Sequence, residues 1–212
     1  MDTNGTKPTM IEVRLRVETA GHVRVHLAAR APCLLVFDVE TDGGSPKQRC
    51  IEMAFLVFDS ASHEVHRYCA HWRLPAGSTI SPHAQRVHGI TLATLDAHGV
   101  DPRGGLLEFM AWVDRVLAHP HGRVVAHNAA FDAGVVAHML AVCGVPRAFS
   151  KDDCFCTMRA ASLHAGCVDR SGKRRAPKNS ELYAVLHDTP PPRAHLHPAL
   201  DAARVTARNC AA

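Results

Sequence analysis

The chain has 212 residues, of which 47% are hydrophobic and 21% are charged, and its formal net charge is +4. This composition is typical of a globular domain and excludes a disordered or fibrous chain. No apolar run reaches the roughly 18 residues of a membrane span, and residues 1–8 lack the apolar core of a signal peptide. We therefore expect an intracellular protein, cytoplasmic or nuclear, with no membrane partner. The eight cysteines are scattered, which favours a reducing compartment.

The first predicted element is a β-hairpin. Apolar and polar residues alternate strictly over 11–17 and again over 23–27, with a turn containing Gly21 between them. An arginine-rich targeting peptide is the competing interpretation, and the acidic residues Glu12 and Glu18 oppose it. We divide the chain into an N-terminal extension, residues 1–30, and a main domain, residues 31–212.

The main domain begins with strands and continues with helices that alternate with strands. The patterns predict strands at 33–39, 51–59, 64–72 and 123–127, and helices at 92–95, 105–117, 130–143, 155–163, 180–186 and 199–210. This order predicts an α/β domain, in which a mixed sheet is flanked by helices.

Two carboxylates end the first strand of this domain. Asp38 and Glu40 are two residues apart, so they emerge on the same face of the strand. Anions held so close repel each other unless a cation lies between them, and a divalent metal ion is the usual solution. The alternative is a strand that ends in solvated acids.

Further acidic residues and histidines occur in comparable positions. Asp132 follows a short apolar strand and lies on the first turn of a helix, at the carboxyl edge of the predicted sheet. Asp201 comes early in the last helix, shortly after His195 and His197. Four carboxylates and a histidine are the components of a two-metal hydrolase, in which the histidine accepts a proton from water.

Five segments carry a resemblance to a known family. They are VFDVETDG, CIEMAFLVFD, VHGIT, HNAAFDAGVV and HPALDAARV, and their order and spacing are similar to those of the DEDDh 3′-to-5′ exonucleases. The resemblance runs from about residue 31 to the end. It implies a ribonuclease-H-like fold and a family that includes polymerase proofreading subunits, RNase T and three-prime repair exonucleases.

The resemblance also implies a set of site residues. Asp38, Glu40, Asp132 and Asp201 match the metal ligands, which would hold two Mg²⁺ or Mn²⁺ ions. Oxygen ligands suit these ions better than zinc. The positions that match substrate contacts or shape the site are Thr41, Asp42, Gly43, His88, Asn128 and Phe131.

The third acidic motif departs from the family pattern. The family has its histidine five residues before the aspartate, whereas His197 lies four residues before Asp201, His195 lies six before it, and Leu196 occupies the expected position. We favour His197 as the general base because it preserves the family's histidine-x-alanine-leucine run, with His195 as the alternative. Counted from His197, however, the family's aspartate falls on Ala202.

Two other clusters have possible binding roles. Five positive charges lie between residues 170 and 178, and we expect Lys173, Arg174 and Arg175 to contact the phosphate backbone; the alternatives are a solvated loop or a localisation signal. Zinc binding would require a site composed of Cys154, Cys156, His164 and Cys167, and their spacing is not a standard one.

The resulting hypothesis is a metal-dependent exonuclease that acts on single-stranded or frayed 3′ ends of DNA or RNA. The alternative is a catalytically weakened, exonuclease-like module that binds nucleic acid or associates with a polymerase. A homodimer is also compatible with the sequence, and the preference between DNA and RNA stays open.

Overall fold

The computed structural model describes residues 13–18, 22–27, 31–43, 48–191 and 198–211. Strands β1 (Val13–Glu18) and β2 (His22–Leu27) pair antiparallel in a two-stranded sheet of their own. The predicted N-terminal hairpin is therefore confirmed at the level of the backbone. Within the described ranges, no helix combines the length and the apolar character that crossing a membrane requires.

The main sheet has five strands in the order β5-β4-β3-β6-β7. Their bounds are β3 (Pro32–Thr41), β4 (Cys50–Asp59), β5 (Glu64–His71), β6 (Arg123–Ala126) and β7 (Cys154–Cys156). The pairs β3–β4 and β4–β5 are antiparallel, while β3–β6 and β6–β7 are parallel. This arrangement confirms the predicted mixed sheet.

Seven α-helices accompany the sheet in the described part of the chain. They are α1 (Pro82–His88), α2 (Leu92–His98), α3 (Pro102–Leu117), α4 (Ala129–Val142), α5 (Thr157–Ala161), α6 (Asn179–His187) and α7 (Pro198–Ala211). Helix α1 was not predicted. Its signals are local, because Ser81 caps the first turn, Pro82 opens the helix, and Gly89 ends it at φ +75°.

The segment predicted as one helix at 155–163 is divided between two elements. Its first residues belong to β7, which pairs with β6, and α5 begins at Thr157. Helix α6 begins at Asn179, one residue before the predicted start at 180, which is within the usual scatter of helix ends. The start of α5 at Thr157 depends instead on the pairing of β7 with β6, which the local pattern could not predict.

The two faces of the sheet are covered differently. On one face, Phe37 and Phe55 pack against Phe109 of α3, with ring centroids 5.1 and 5.6 Å apart. On the other face, Ala54 and Leu56 pack against α7 through its buried residues Ala199, Leu200 and Ala203. Because side chains alternate along a strand, Asp38 and Glu40 lie on the α7 face.

Three irregularities interrupt the strand registers. Two lie on β3, near its start between Pro32 and Leu34 and near its end between Glu40 and Thr41, and the third lies between Val57 and Phe58 of β4, opposite an extra residue of β5. Between them the pairing is regular, and it aligns Glu40 with Glu52 and Glu52 with His71 across three strands.

Candidate active site

Three of the predicted acidic residues meet at the carboxyl end of β3. Asp38 and Glu40 are supplied by β3, and Asp132 by the first turn of α4, which follows the parallel strand β6. Asp132 is only 3% exposed, and its Oδ1 atom accepts a hydrogen bond of 3.3 Å from the Val39 N–H. This bond joins α4 directly to the strand that carries the other two acids.

The electrostatics show that these three carboxylates share one environment. Burial, followed by repulsion from Asp132, Glu40 and Glu52, holds the pKa of Asp38 well above its usual value. Burial, with repulsion from Glu52 and Asp132, raises the pKa of Glu40 to about 7. Burial likewise raises the pKa of Asp132, although the Val39 hydrogen bond opposes the shift. A cation placed among the three carboxylates would favour their charged forms and so lower these pKa values.

The raised pKa of Glu40 predicts how stability depends on pH without metal. Below about pH 4.5 the carboxyl is protonated in both the folded and the unfolded chain, so burial costs little. Between about pH 4.5 and 7 the unfolded chain loses its proton first, so stability falls as the pH rises. Glu40→Gln removes this loss, and at pH 7.5 in chelator its Tm should exceed that of the wild type by at least 2–4 °C, roughly the effect of 1 kcal/mol.

Melting curves in chelator from pH 4.5 to 8 test this prediction. The Tm difference between Glu40→Gln and the wild type should be small at the acidic end and should grow to a plateau above pH 7. Added Mn²⁺ should raise the Tm of the wild type more than that of the variant. A constant difference across the range would contradict the prediction.

The three carboxylates fit a divalent cation by chemistry but do not form a finished cage. Their oxygens are the hard donors that Mg²⁺ and Mn²⁺ prefer. In the described ranges, however, no three His, Cys, Asp or Glu side chains are grouped closely enough to hold a metal ion. A metal site here requires side-chain adjustment together with a ligand from the substrate or from the third motif.

The structure does not bring Asp201 to these acids. Its carboxylate pairs with Arg204 at 3.4 Å, and its charge acts on the Cys69 thiol of β5. Successive helical residues turn by about 100°, so Asp201 projects away from the buried stripe of α7 that contains Ala199 and Ala203. Asp132, by contrast, lies on the β6 side of β3. His195 and His197 lie outside the described residues.

A carboxylate that the sequence analysis did not select lies beside the acids instead. Glu52 is fully buried on β4, directly across from Glu40. Its Oε1 atom lies 3.0 Å from Nε2 of His71, and its Oε2 atom accepts a hydrogen bond of 2.9 Å from the N–H of Ala199 on α7. An acid in the interior of the apolar stretch CIEMAFLVFD, seven residues before the terminal Asp59, was the available signal.

The predicted substrate residues lie around the end of β3. The ring of His88 joins Thr41 to the turn after α1: Nδ1 accepts from the Ile90 N–H at 3.0 Å, so Nε2 carries the proton and donates to the Thr41 carbonyl at 3.2 Å. Burial lowers the pKa of His88, which is therefore a neutral structural contact. The other predicted substrate residues in this region are Asp42, Gly43, Asn128 and Phe131.

Comparison with known proteins agrees with this arrangement. A family model described as exonuclease (RNase_T) matches residues 35–209. The chain belongs to this exonuclease family. The DEDDh resemblance drawn from the motifs is thereby confirmed, and the family is one of nucleases. No curated protein matches the chain.

Solved exonuclease structures have the same fold. Exonuclease I from Methylocaldum szegediense is 20% identical, with a TM-score of 0.63, over 83% of this chain and 39% of that one. E. coli Exonuclease I in complex with a dT13 oligonucleotide is 16% identical, with a TM-score of 0.60, over 84% and 40%. The nuclease domain of 3′hExo, a DEDDh family member bound to rAMP, is 13% identical, with a TM-score of 0.63, over 86% and 91%. This exonuclease-family chain therefore spans about two fifths of the Exonuclease I chains and nearly all of the 3′hExo domain.

One aromatic and one amide side chain close in sequence to Asp132 are open to solvent. Phe131 is 39% exposed at the start of α4, and Asn128, immediately before the helix, makes no capping hydrogen bond with its side chain. The buried Asp132 lies one residue after Phe131. In the segment HNAAFDAGVV, the carboxylate of Asp132 is thus buried and the ring of Phe131 is exposed.

The basic loop of this exonuclease-family chain is held by several hydrogen bonds that the sequence analysis did not predict. Asp169 accepts hydrogen bonds from the backbone N–H groups of Ser171 and Lys173, which closes a turn. Arg175 forms two hydrogen bonds of 2.7 Å with the carboxylate of Glu181, and these lower the pKa of Glu181 to about 2. Arg175 is thus committed to α6, while Lys173 and Arg174 are exposed.

Because Lys173 and Arg174 are exposed, we expect these two side chains to contribute to the binding of single-stranded oligonucleotides. Replacing both Lys173 and Arg174 with alanine should weaken single-stranded oligonucleotide binding. It should also reduce the slope of log affinity against log salt by about 0.7 for each phosphate that the two side chains neutralise. Titrations from about 50 to 200 mM salt measure the change. Arg115→Ala, an exposed cation on α3, is the control. An unchanged slope in the double variant would contradict the phosphate contact.

The possible zinc ligands do not meet. The thiol of Cys154 donates to the Ser150 carbonyl, and that of Cys156 donates to the His127 carbonyl. Cys167 instead lies near the Ala165 carbonyl. Among the described residues, Cys154, Cys156, His164 and Cys167 form no group that could hold a metal ion.

Proposed function

We propose that this protein is a metal-dependent 3′-to-5′ exonuclease that releases nucleoside monophosphates from single-stranded or frayed 3′ ends of DNA or RNA. The observation that carries the proposal is the cluster of Asp38, Glu40 and Asp132 at the end of β3, where burial raises the pKa of all three and repulsion between carboxylates raises those of Asp38 and Glu40 further. Support comes from relatives crystallised with single-stranded oligonucleotides and with rAMP.

The proposed roles follow from the positions of the side chains. Asp38, Glu40 and Asp132 would hold two Mg²⁺ or Mn²⁺ ions, with Asp201 as the fourth ligand that the motifs imply. When bound, such ions activate a water molecule and stabilise the leaving oxygen. His197, or His195 in its place, accepts the proton of the attacking water. Phe131 offers an exposed ring for the terminal base, and Lys173 and Arg174 bind the preceding phosphates.

Degradation of a labelled oligonucleotide tests the activity and its direction. With a 5′ label, removal of nucleotides from the 3′ end yields a ladder of progressively shorter labelled products, whereas 5′-to-3′ removal releases the label at once. DNA and RNA of the same sequence should be tested in Mg²⁺, in Mn²⁺ and in chelator, and a 3′-phosphorylated oligonucleotide tests the need for a free 3′ end. No ladder in either metal would overturn the proposal.

The second candidate is a weakened exonuclease-like module that binds nucleic acid or associates with a polymerase. The observation in its favour is the pairing of Asp201 with Arg204, together with the irregular spacing of the third motif. This candidate predicts oligonucleotide binding without a ladder, and no effect of Asp201→Asn on either property. A ladder that Asp201→Asn abolishes would exclude it.

A further inference from the structure

Glu52 is a fully buried acid placed next to other acids. Its charge adds to the repulsion that raises the pKa of Asp38 and Glu40. A buried carboxylate is costly unless its oxygens are paired or hydrogen-bonded. Glu52 therefore needs partners, and the structure places them on two different elements.

Both carboxylate oxygens of Glu52 have partners. The Oε1 atom faces Nε2 of His71, which is 11% exposed and is the residue directly across from Glu52 on β5. The Oε2 atom accepts from the Ala199 N–H. The acid thus joins two strands of the sheet to the last helix.

The contact with Ala199 lies at the start of α7. Pro198 opens the helix and has no N–H, so Ala199 provides the first donor that needs a partner there. A carboxylate at this end also interacts favourably with the helix dipole. The methyl group of Ala199 is also buried against the sheet, so both the hydrogen bond to Glu52 and apolar packing hold this residue in place.

The chain that enters α7 carries both candidate bases. His197 immediately precedes Pro198, and His195 lies two residues further back. Glu52 is also paired across from Glu40. The hydrogen bond to Ala199 therefore ties this residue at the start of α7, two residues after His197 in the sequence, to the strand that pairs with β3.

We propose that Glu52 is a positioning residue, which holds the start of α7 through the Ala199 N–H, and that the general base of the third motif depends on this anchor for its activity. This inference rests on the proposed exonuclease function. Glu52 differs from a metal ligand because both of its oxygens are already engaged. What it must supply is an acceptor at a fixed place rather than a negative charge.

Three variants separate position from charge. Glu52→Gln keeps an oxygen that can accept from Ala199, whereas Glu52→Asp keeps the charge on a side chain that is one methylene shorter. Glu52→Leu removes the acceptor and the charge. We expect kcat to fall about 100-fold in the Asp and Leu variants, the typical cost of a misplaced catalytic group, with KM nearly unchanged. The Gln variant should retain kcat within about tenfold of the wild type.

Coupling to the base is the second part of the test. If Glu52 acts only through the base, Glu52→Asp should cause no further loss in a variant whose base has been replaced by alanine. A metal ligand would behave differently: Gln would be as damaging as Asp, and Mn²⁺ affinity would fall in both. Equal damage by Gln and Asp, together with weaker Mn²⁺ binding in both variants, would overturn the proposal.

Amide hydrogen exchange in metal-free protein tests the anchor without any activity measurement. The Ala199 amide should exchange faster in the Asp and Leu variants than in the wild type and the Gln variant. Unchanged exchange would show that Glu52 does not hold α7. If exchange responds as expected but the wild type degrades no oligonucleotide, the anchor stands, and the exonuclease function fails together with the catalytic role of the anchor. Melting curves confirm that each variant is folded.

Discussion

Asp38→Asn is expected to reduce degradation of a labelled oligonucleotide to an undetectable level while leaving the protein folded and able to bind. Asp38 lies at the centre of the acidic cluster, where Asp132, Glu40 and Glu52 all act on it. Loss of an outer partner of a metal ligand typically costs about 10–100-fold, so loss of a central ligand should exceed that. The amide has nearly the same shape but weaker affinity for a divalent cation.

The measurement is the initial rate of oligonucleotide shortening in Mg²⁺ and in Mn²⁺. Asp96→Asn, an exposed acid on α2, is the matched control and should have the activity of the wild type. The Asp38→Asn protein should melt no earlier than the wild type in chelator, because the amide has no charge to bury and is not repelled by Asp132, Glu40 and Glu52. Metal-dependent shortening that survives in Asp38→Asn would mean that the reaction takes place elsewhere.

The second large effect is expected from the histidines of the third motif. Loss of a positioned general base typically lowers the rate by about 10²–10⁴-fold. We expect this loss for His197→Ala and less than a tenfold loss for His195→Ala, because His197 directly adjoins the end of α7 that Glu52 holds.

Rates at several pH values show whether the histidine acts as a base. The wild-type rate should rise with pH as the base loses its proton, and His197→Ala should flatten this rise and leave a slow metal-dependent reaction. The reverse pattern, in which His195→Ala causes the larger loss, would move the role to His195. Equal wild-type rates in both variants would exclude a histidine base from this segment.

The sequence predicted much of the sheet and part of the site because these depend on local patterns. The apolar run that ends at Asp38 and Glu40 correctly predicted a buried strand with two acids on one face. The placement of Asp132 on the first turn of α4 was also correct. These predictions needed only alternation along a strand and the position of a residue after a strand.

Other features depend on distant parts of the chain and could not be derived in this way. The role of Glu52 becomes visible only when α7 packs against β4, 147 residues later in the sequence. Asp201 matches a family motif, yet the rotation of α7 about its axis determines where the carboxylate points. The pairing of Arg175 with Glu181 likewise removes one of three apparently equivalent cations.

The irregular register between Val57 and Phe58 has a consequence for the far end of the same strand pair. A shift of one residue in strand pairing turns every following side chain to the opposite face. The extra residue is Val65 on β5, because Phe58 pairs with Glu64 and Val57 pairs with His66. A one-residue change in length near the turn after β4 is therefore absorbed at this bulge and leaves Glu52 paired with His71, about five residue pairs away. A one-residue change between His66 and His71 has no such outlet and would turn His71 away from Glu52. When variants or relatives of this chain are compared, the length of β5 beyond the bulge belongs among the determinants of the site.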